Sequence, residues 1–271
     1  MLLLALAPVV SQAAPQKATS PQLRSNAALV FDETNSTVLY SKNADSVVPI
    51  ASITKLMTAL VVLEAGQPLD ELLIVDNSDR STHSGTASRL AVGTKLKRRE
   101  LMHLALMSSE NRAAHALGRN YPGGLAACVR AMNAKAKALG MSHTRFFDPT
   151  GLDDGNVASP RDLSKLVIAA SRNPTISELS TDAKYNVRVG HLMLEYRNTN
   201  NLVNKPDWNI VVQKTGYISE AGKCLVMKAI INGHSVVIVL LDSFGKYTRT
   251  ADANRVRKWL EASVASANRT T

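Results

Sequence analysis

Hydrophobic positions keep three different rhythms along the chain, and each predicts a different element. Asn26-Ala27-Ala28-Leu29-Val30-Phe31-Asp32 and Thr37-Val38-Leu39-Tyr40 are apolar, β-prone runs flanking Glu33-Thr34-Asn35-Ser36, which predicts a hairpin. The period then lengthens. Ile53, Leu56, Met57, Leu60 and Leu63 recur at helical spacing, so an amphipathic helix with a buried stripe is expected, stopped by Gly66 with Pro68 just beyond. Asp70 to Lys97 is polar, with only short apolar runs at 72–75 and 90–92, and reads as an excursion from the core. Helical patterns return over Glu100–Met107, then, across a joint over Met107–Ala114, in a second helix to about Arg119, and over Leu125–Leu139, the last closed by Gly140. Phe146 to Ser159 is a loop built on Pro149, Gly151 and Gly155. Ser159-Pro160 then offers a cap and a first-turn proline for a helix to about Ser171.

Beyond that point the rhythm becomes that of strands. Asn209–Gln213, Cys224–Ile231 and Ser235–Leu241 are apolar and β-branched, parted by Ser219-Glu220-Ala221-Gly222 and by the Asn-Gly turn of Asn232-Gly233-His234. A last helix is expected over about Lys246–Ala265. Two strands at the start, helices in the middle, and three strands and a helix at the end predict an α+β fold. Both chain ends would share one antiparallel sheet flanked by helices, with a mostly helical lobe over about 66–172 beside it. The crevice between lobes is the expected site. One domain over 26–268 is expected, after a lead-in over 1–25.

Composition narrows the function. A length of 271 residues, 45% hydrophobic, suits a sizeable core. No apolar run approaches the roughly 18 residues of a membrane-spanning helix. The net charge of +10 is dispersed, and aromatics are only 4%, so a nucleic-acid binder with a basic, aromatic-studded stripe is disfavoured. A diffuse positive field suits an acidic polymer, such as a peptide-bearing cell wall, or an anionic membrane surface. The start, Met1-Leu2-Leu3-Leu4-Ala5-Leu6, leads to Ser11-Gln12-Ala13-Ala14-Pro15 and looks like a secretory signal without its positive leading segment. Export to the periplasm follows as an expectation, with Pro15–Ser25 an unstructured lead-in. Cys128 and Cys224 fall in a helix and a strand pattern; two separate buried thiols are favoured over a disulfide. The six histidines are scattered without metal-ligand spacing, so no metal or cofactor is expected.

Chemistry concentrates at Ser52-Ile53-Thr54-Lys55. Ser52 stands near a helix start, where free N–H groups and the positive dipole end favour negative charge. Lys55, three residues on, shares its face. A serine hydroxyl needs a base, and a lysine buried near a second cation has the depressed pKa to serve as one. The spacing alone is weak. It arises about once by chance in a chain of ordinary composition, Ser243–Lys246 repeats it, and a capping serine with a snorkelling lysine would look the same. Two further elements add weight. Ser109-Glu110-Asn111 sits at the joint of two predicted helices, unlike the Ser-x-Asn matches at Ser41, Ser171 and Ser266. Lys214-Thr215-Gly216 ends the strand from Asn209, where glycine permits close backbone approach.

The ordered triple Ser52/Lys55, Ser109/Asn111, Lys214-Thr215-Gly216 resembles the serine penicillin-recognising enzymes, the penicillin-binding proteins and serine β-lactamases. Longer stretches, among them Pro49–Leu63, Leu104–Ala114, Trp208–Tyr217 and Phe244–Tyr247, resemble the D-alanyl-D-alanine endopeptidase branch, which is penicillin-binding protein 7-like. The resemblance implies a β-lactamase/transpeptidase-like fold. It implies Ser52 as nucleophile, Lys55 as general base, Ser109 as proton relay and Asn111 as a ligand to the substrate backbone and to Lys55. Lys214 would help hold Lys55 neutral and attract a substrate carboxylate, which Thr215 would hydrogen-bond beside Gly216. The N–H groups of Ser52 and Tyr217 would form the oxyanion hole. Arg197 is either a second carboxylate ligand or a surface ion pair. Glu110 reads as an exposed or helix-start residue, Asp148 and the 149–152 turn as loop structure.

The implied substrates are peptidoglycan cross-links, with β-lactam antibiotics as acylating ligands and other cell-wall enzymes as partners. No Glu stands between Glu110 and Glu178 to drive β-lactamase deacylation. Cross-link cleavage and removal of terminal D-alanine share a locally similar scissile bond, so a carboxypeptidase remains the alternative. The tail Glu261–Arg269 is too polar for the amphipathic anchor of related carboxypeptidases. A non-catalytic wall-binding or antibiotic-sensing domain is the reading from another class.

Overall fold

A computed structural model describes residues 20–80 and 88–267. The signal-like start lies outside the described residues. The first two strands are β1 (Ala27–Asp32) and β2 (Thr37–Lys42), the predicted hairpin. After the two-residue strand β3 (Val48–Pro49), a 3-10 turn over Ala51–Ile53 runs straight into helix α1 (Thr54–Glu64). The polar excursion holds β4 (Leu72–Ile74), paired with β5 (Lys95–Lys97). Helices α2 (Arg98–Met107), α3 (Asn111–Arg119) and α4 (Gly124–Ala138) follow. Then come β6 (Val157–Ala158), which pairs with β3, and α5 (Pro160–Ser171), capped by Ser159 as its sequence predicts.

The next stretch departs from expectation. Pro174–Thr181 forms a further helix, α6, and β7 (Lys184–Val189) pairs with β8 (Leu192–Arg197) as a separate hairpin. Strands β9 (Asn209–Ile218), β10 (Gly222–Ile231) and β11 (His234–Ser243) and helix α7 (Thr248–Ala267) complete the chain. β9 runs through Lys214-Thr215-Gly216 rather than ending there.

One antiparallel sheet, ordered β2-β1-β11-β10-β9, joins both ends of the chain. Val236, Ile238 and Leu240 of β11 pack with Ala253 and Val256 of α7 on one face. Val237, Val239 and Leu241 join the core with α1 and α5 on the other. Burial on both faces explains why β11 reads as an unbroken apolar run. The same logic corrects the view of α1. It is buried all round from Thr54 to Val62, so its polar residues lie inside the molecule instead of on a wet face. The lead-in also differs from its reading as unstructured. Residues 20–24 lack regular structure, yet Asp252 accepts the backbone N–H groups of Arg24 (2.9 Å) and Ser25 (2.7 Å) and pins them to α7. Cys128 and Cys224 are separate buried thiols.

Candidate active site

Ser52 stands in the 3-10 turn that starts α1, and the turn is wedged from two sides. Ala51 carries φ +47°, a left-handed conformation uncommon for a residue with a Cβ. Gly151 approaches so closely that a Cβ there would lie 1.9 Å from the Ala51 carbonyl oxygen. From the sheet, a Cβ on Gly216 would lie 2.9 Å from the Ile50 oxygen and 3.1 Å from the Ser52 nitrogen. Only glycine lets β9 pass this close to the serine. Thr54 Oγ1 donates back to the Ala51 carbonyl at 2.8 Å and closes the turn.

Lys55 projects from the first turn of α1 and is buried. Its Nζ lies 2.7 Å from Ser52 Oγ, 2.8 Å from Asn111 Oδ1 and 2.7 Å from the Thr150 carbonyl oxygen. Two of these three partners can only accept. A neutral Lys55 therefore spends both its N–H bonds on Asn111 and Thr150, and its lone pair is left facing the Ser52 hydroxyl. Asn111 opens α3, with Glu110 as its N-cap, so the helix-start reading of Glu110 holds although the residue is buried rather than exposed.

Ser109 occupies the joint between α2 and α3 with φ +62°, another strained position. Lys214 Nζ donates to Ser109 Oγ at 2.9 Å and to the Thr215 carbonyl oxygen at 2.7 Å. Thr215 Oγ1 is 2.6 Å from Thr199 Oγ1. Ser52, Lys55, Ser109, Asn111, Lys214, Thr215 and Gly216 thus meet in one crevice between the helices and β9. Tyr217 follows on β9 with its side chain 59% exposed. Arg197 lies outside this network. It ends β8, 80% exposed at its side chain, and pairs with Glu195 at 2.8 Å.

Three contributors carry no sequence motif. The Thr150 carbonyl belongs to the backbone and has no residue-type signature. Its loop is organised by Asp148, whose carboxylate accepts the N–H groups of Thr150 and Gly151, both at 2.6 Å, and of Asp153 at 2.9 Å. Asp148 is loop structure, as its sequence context predicts, and that structure aims a ligand at Lys55. Thr199 holds Thr215. Arg249, from α7, donates through Nη1 to the carbonyls of Gly216 (2.9 Å) and Cys224 (3.1 Å) and fixes the strand beside the serine.

Burial sets the electrostatics. It lowers Lys55 from 10.5 to about 7, against the opposing pull of the Asp148 and Glu110 carboxylates. Burial also pushes Lys214 well below 10.5, helped by the Lys55 and Arg249 charges. Desolvation, more than the neighbouring Lys214 charge, is thus what brings Lys55 to neutrality. The repulsion between the two amines is mutual, and the crevice resists holding both charged.

Known proteins share this plan. The sequence pattern of the D-alanyl-D-alanine carboxypeptidase family matches residues 14–245. A D-alanyl-D-alanine endopeptidase of Pseudomonas aeruginosa is 51% identical over 98% of this chain and 87% of its own length. The D-alanyl-D-alanine endopeptidase of Escherichia coli is 48% identical over 96% of this chain and 86% of its own length. The cefotaxime-bound penicillin-binding protein D2 of Listeria monocytogenes superposes with a TM-score of 0.78 at 32% identity, covering 88% of this chain and 97% of that one. On fold, motif order and this extent of match, the chain belongs to the D-alanyl-D-alanine carboxypeptidase family of serine hydrolases.

Proposed function

We propose that the chain is a serine DD-endopeptidase that hydrolyses D-alanyl–meso-diaminopimelate cross-links of peptidoglycan through an acyl-enzyme on Ser52. The observation that carries the chemistry is the Lys55 amine, whose two carbonyl acceptors leave its lone pair for the Ser52 hydroxyl. Lys55 takes the hydroxyl proton as Ser52 Oγ bonds to the D-alanyl carbonyl carbon. The N–H groups of Ser52 and Tyr217 receive the developing oxyanion, a type of contact whose loss costs ~3 kcal/mol. The C–N bond then breaks, and the leaving amine takes its proton from Lys55 through Ser109. Water hydrolyses the ester and regenerates Ser52. Lys214 and Thr215 are suited to the carboxylate beside the scissile bond, and Asn111 to the substrate backbone.

The choice of cross-links over terminal D-alanine rests on the relatives at 51% and 48% identity, both named endopeptidases. A meso-diaminopimelate amine sits next to a carboxylate, so one carboxylate pocket would accept either substrate. β-Lactams would acylate the same serine. Export to the periplasm follows from the apolar start, and other cell-wall enzymes are the expected partners. No helix among the described residues is long and apolar enough to cross a membrane.

Purified protein, with Ser52→Ala as control, is given cross-linked dimeric muropeptides and, separately, monomeric pentapeptide. Conversion of dimers to monomers by the wild type alone is the expected result. Release of terminal D-alanine without dimer cleavage would make the chain a carboxypeptidase. Labelling of Ser52 by penicillin with neither substrate changed would point to a sensor.

A further inference from the structure

Aromatic side chains are scarce in this chain, at four Phe, two Trp and six Tyr, and most are covered. Among the described residues, the aromatics more than half exposed are Tyr217 (59%), Phe244 (71%) and Tyr247 (66%). They lie together. Tyr217 of β9 faces Lys223 of β10, and Lys223 in turn faces Ser243 at the end of β11, next to Phe244. Tyr247 precedes α7 by one residue, and Arg249, two residues on, bonds the Gly216 carbonyl just before Tyr217. Two lysines border the rings, Lys223 Nζ at 4.3 Å from the Tyr217 centroid and Lys246 Nζ at 5.4 Å from that of Tyr247.

We propose that Phe244 and Tyr247, with Lys223 and Lys246, form a platform for the glycan strand that carries the donor stem peptide. This inference rests on the endopeptidase reading. Exposed aromatic surface is unfavourable unless something covers it. A pyranose ring offers one face of C–H bonds that lies flat on an aromatic ring, and its hydroxyls stay wet at the rim. The lysines suit carboxylates of the attached stem.

Reach supports the assignment. Gly216 borders the Ser52 nitrogen, and Phe244 lies about 10 Å across two strand spacings from Tyr217. A four-residue stem spans at most about 14 Å when extended. With its terminal D-alanyl carbonyl at Ser52, an extended stem is long enough for its sugar to reach the end of β11. The platform would make the enzyme prefer cross-links still attached to glycan over free peptide dimers.

The test compares the wild type with Phe244→Ala/Tyr247→Ala on two substrates: intact peptidoglycan, and cross-linked peptide dimers freed of sugar. The double variant is expected to cleave peptidoglycan about tenfold more slowly and to keep the wild-type rate on sugar-free dimers. Phe244→Tyr/Tyr247→Phe, which retains both rings, should restore the first rate. Equal loss on both substrates, or no loss on either, overturns the proposal. Co-sedimentation of the full Ser52→Ala chain with peptide-free glycan strands tests the platform even if the wild type cleaves no cross-link. Binding that disappears with the two aromatics supports it, and no binding overturns it. Unchanged glycan binding with lost binding to anionic phospholipid vesicles would assign the patch to a membrane surface instead.

Discussion

In the proposed mechanism, Lys55 carries the proton transfer in one side chain. Its amine is useful as a base only when neutral, and burial brings it to about 7. The rate of acylation by penicillin should therefore climb through about pH 7 and level off above it. Asp148 opposes that shift, since its negative charge favours the protonated amine. Asp148→Asn should move the limb to lower pH, and stopped-flow acylation over a pH series would read it. A limb that stays put, or moves to higher pH, would remove Asp148 from the electrostatics of Lys55. The sign for stability follows from the same shift. Between about 7 and 10.5 the unfolded chain holds a proton on Lys55 that the native state does not. Lys55 therefore makes the fold more stable as pH rises through that window.

Elements place these residues by backbone proximity, which a sequence shows only indirectly. Gly216→Ala would put a methyl group against the Ile50 oxygen and the Ser52 nitrogen. Both atoms are backbone, so the strand or the serine turn must shift; acylation should fall by about tenfold or more, and the melting temperature should fall with it. An alanine variant with wild-type acylation would show that the close approach is dispensable. The loop over 146–156 supplies a carbonyl to Lys55, and no Glu stands between residues 110 and 178 to activate a deacylating water. Penicillin should remain on Ser52 for minutes or longer, which intact-mass measurement can follow; turnover at tens per second would contradict it.

The helices and strands with strong periodicity were legible in the sequence, as were all three motifs. The segment 174–197 was not. Its strands, Lys184–Val189 and Leu192–Arg197, mix charged and apolar positions because the hairpin is half exposed. Asn173-Pro174 repeats the cap-and-proline signal of Ser159-Pro160 and would have marked α6. Arg249 and the Thr150 carbonyl were out of reach. One is a lone basic residue among 32, and the other is backbone.

Across the whole molecule, the two chain ends hold one another. Asp252 of α7 is buried and accepts from the Arg24 and Ser25 backbones, from Ser25 Oγ at 2.7 Å and from Arg255 at 2.5 Å. Asp252→Ala strands these donors and should cost about 2–4 kcal/mol in urea unfolding. Trypsin should also cut after Arg24 in the variant under conditions where the wild type resists. Resistance in both would mean that Leu23 and the sheet edge secure the lead-in without the carboxylate.

The pairing of Ala27 with Leu241 has a consequence for the chain as it is made. More than two hundred residues of chain separate the two partners. Until the later one arrives, the first hairpin waits with one edge open. Ser52 and Lys55 emerge early, but the wall that carries Lys214 is anchored only when the final strand slots between the two halves. The folding polypeptide is therefore silent as a hydrolase until that strand has paired, and activity appears with the closing of the sheet.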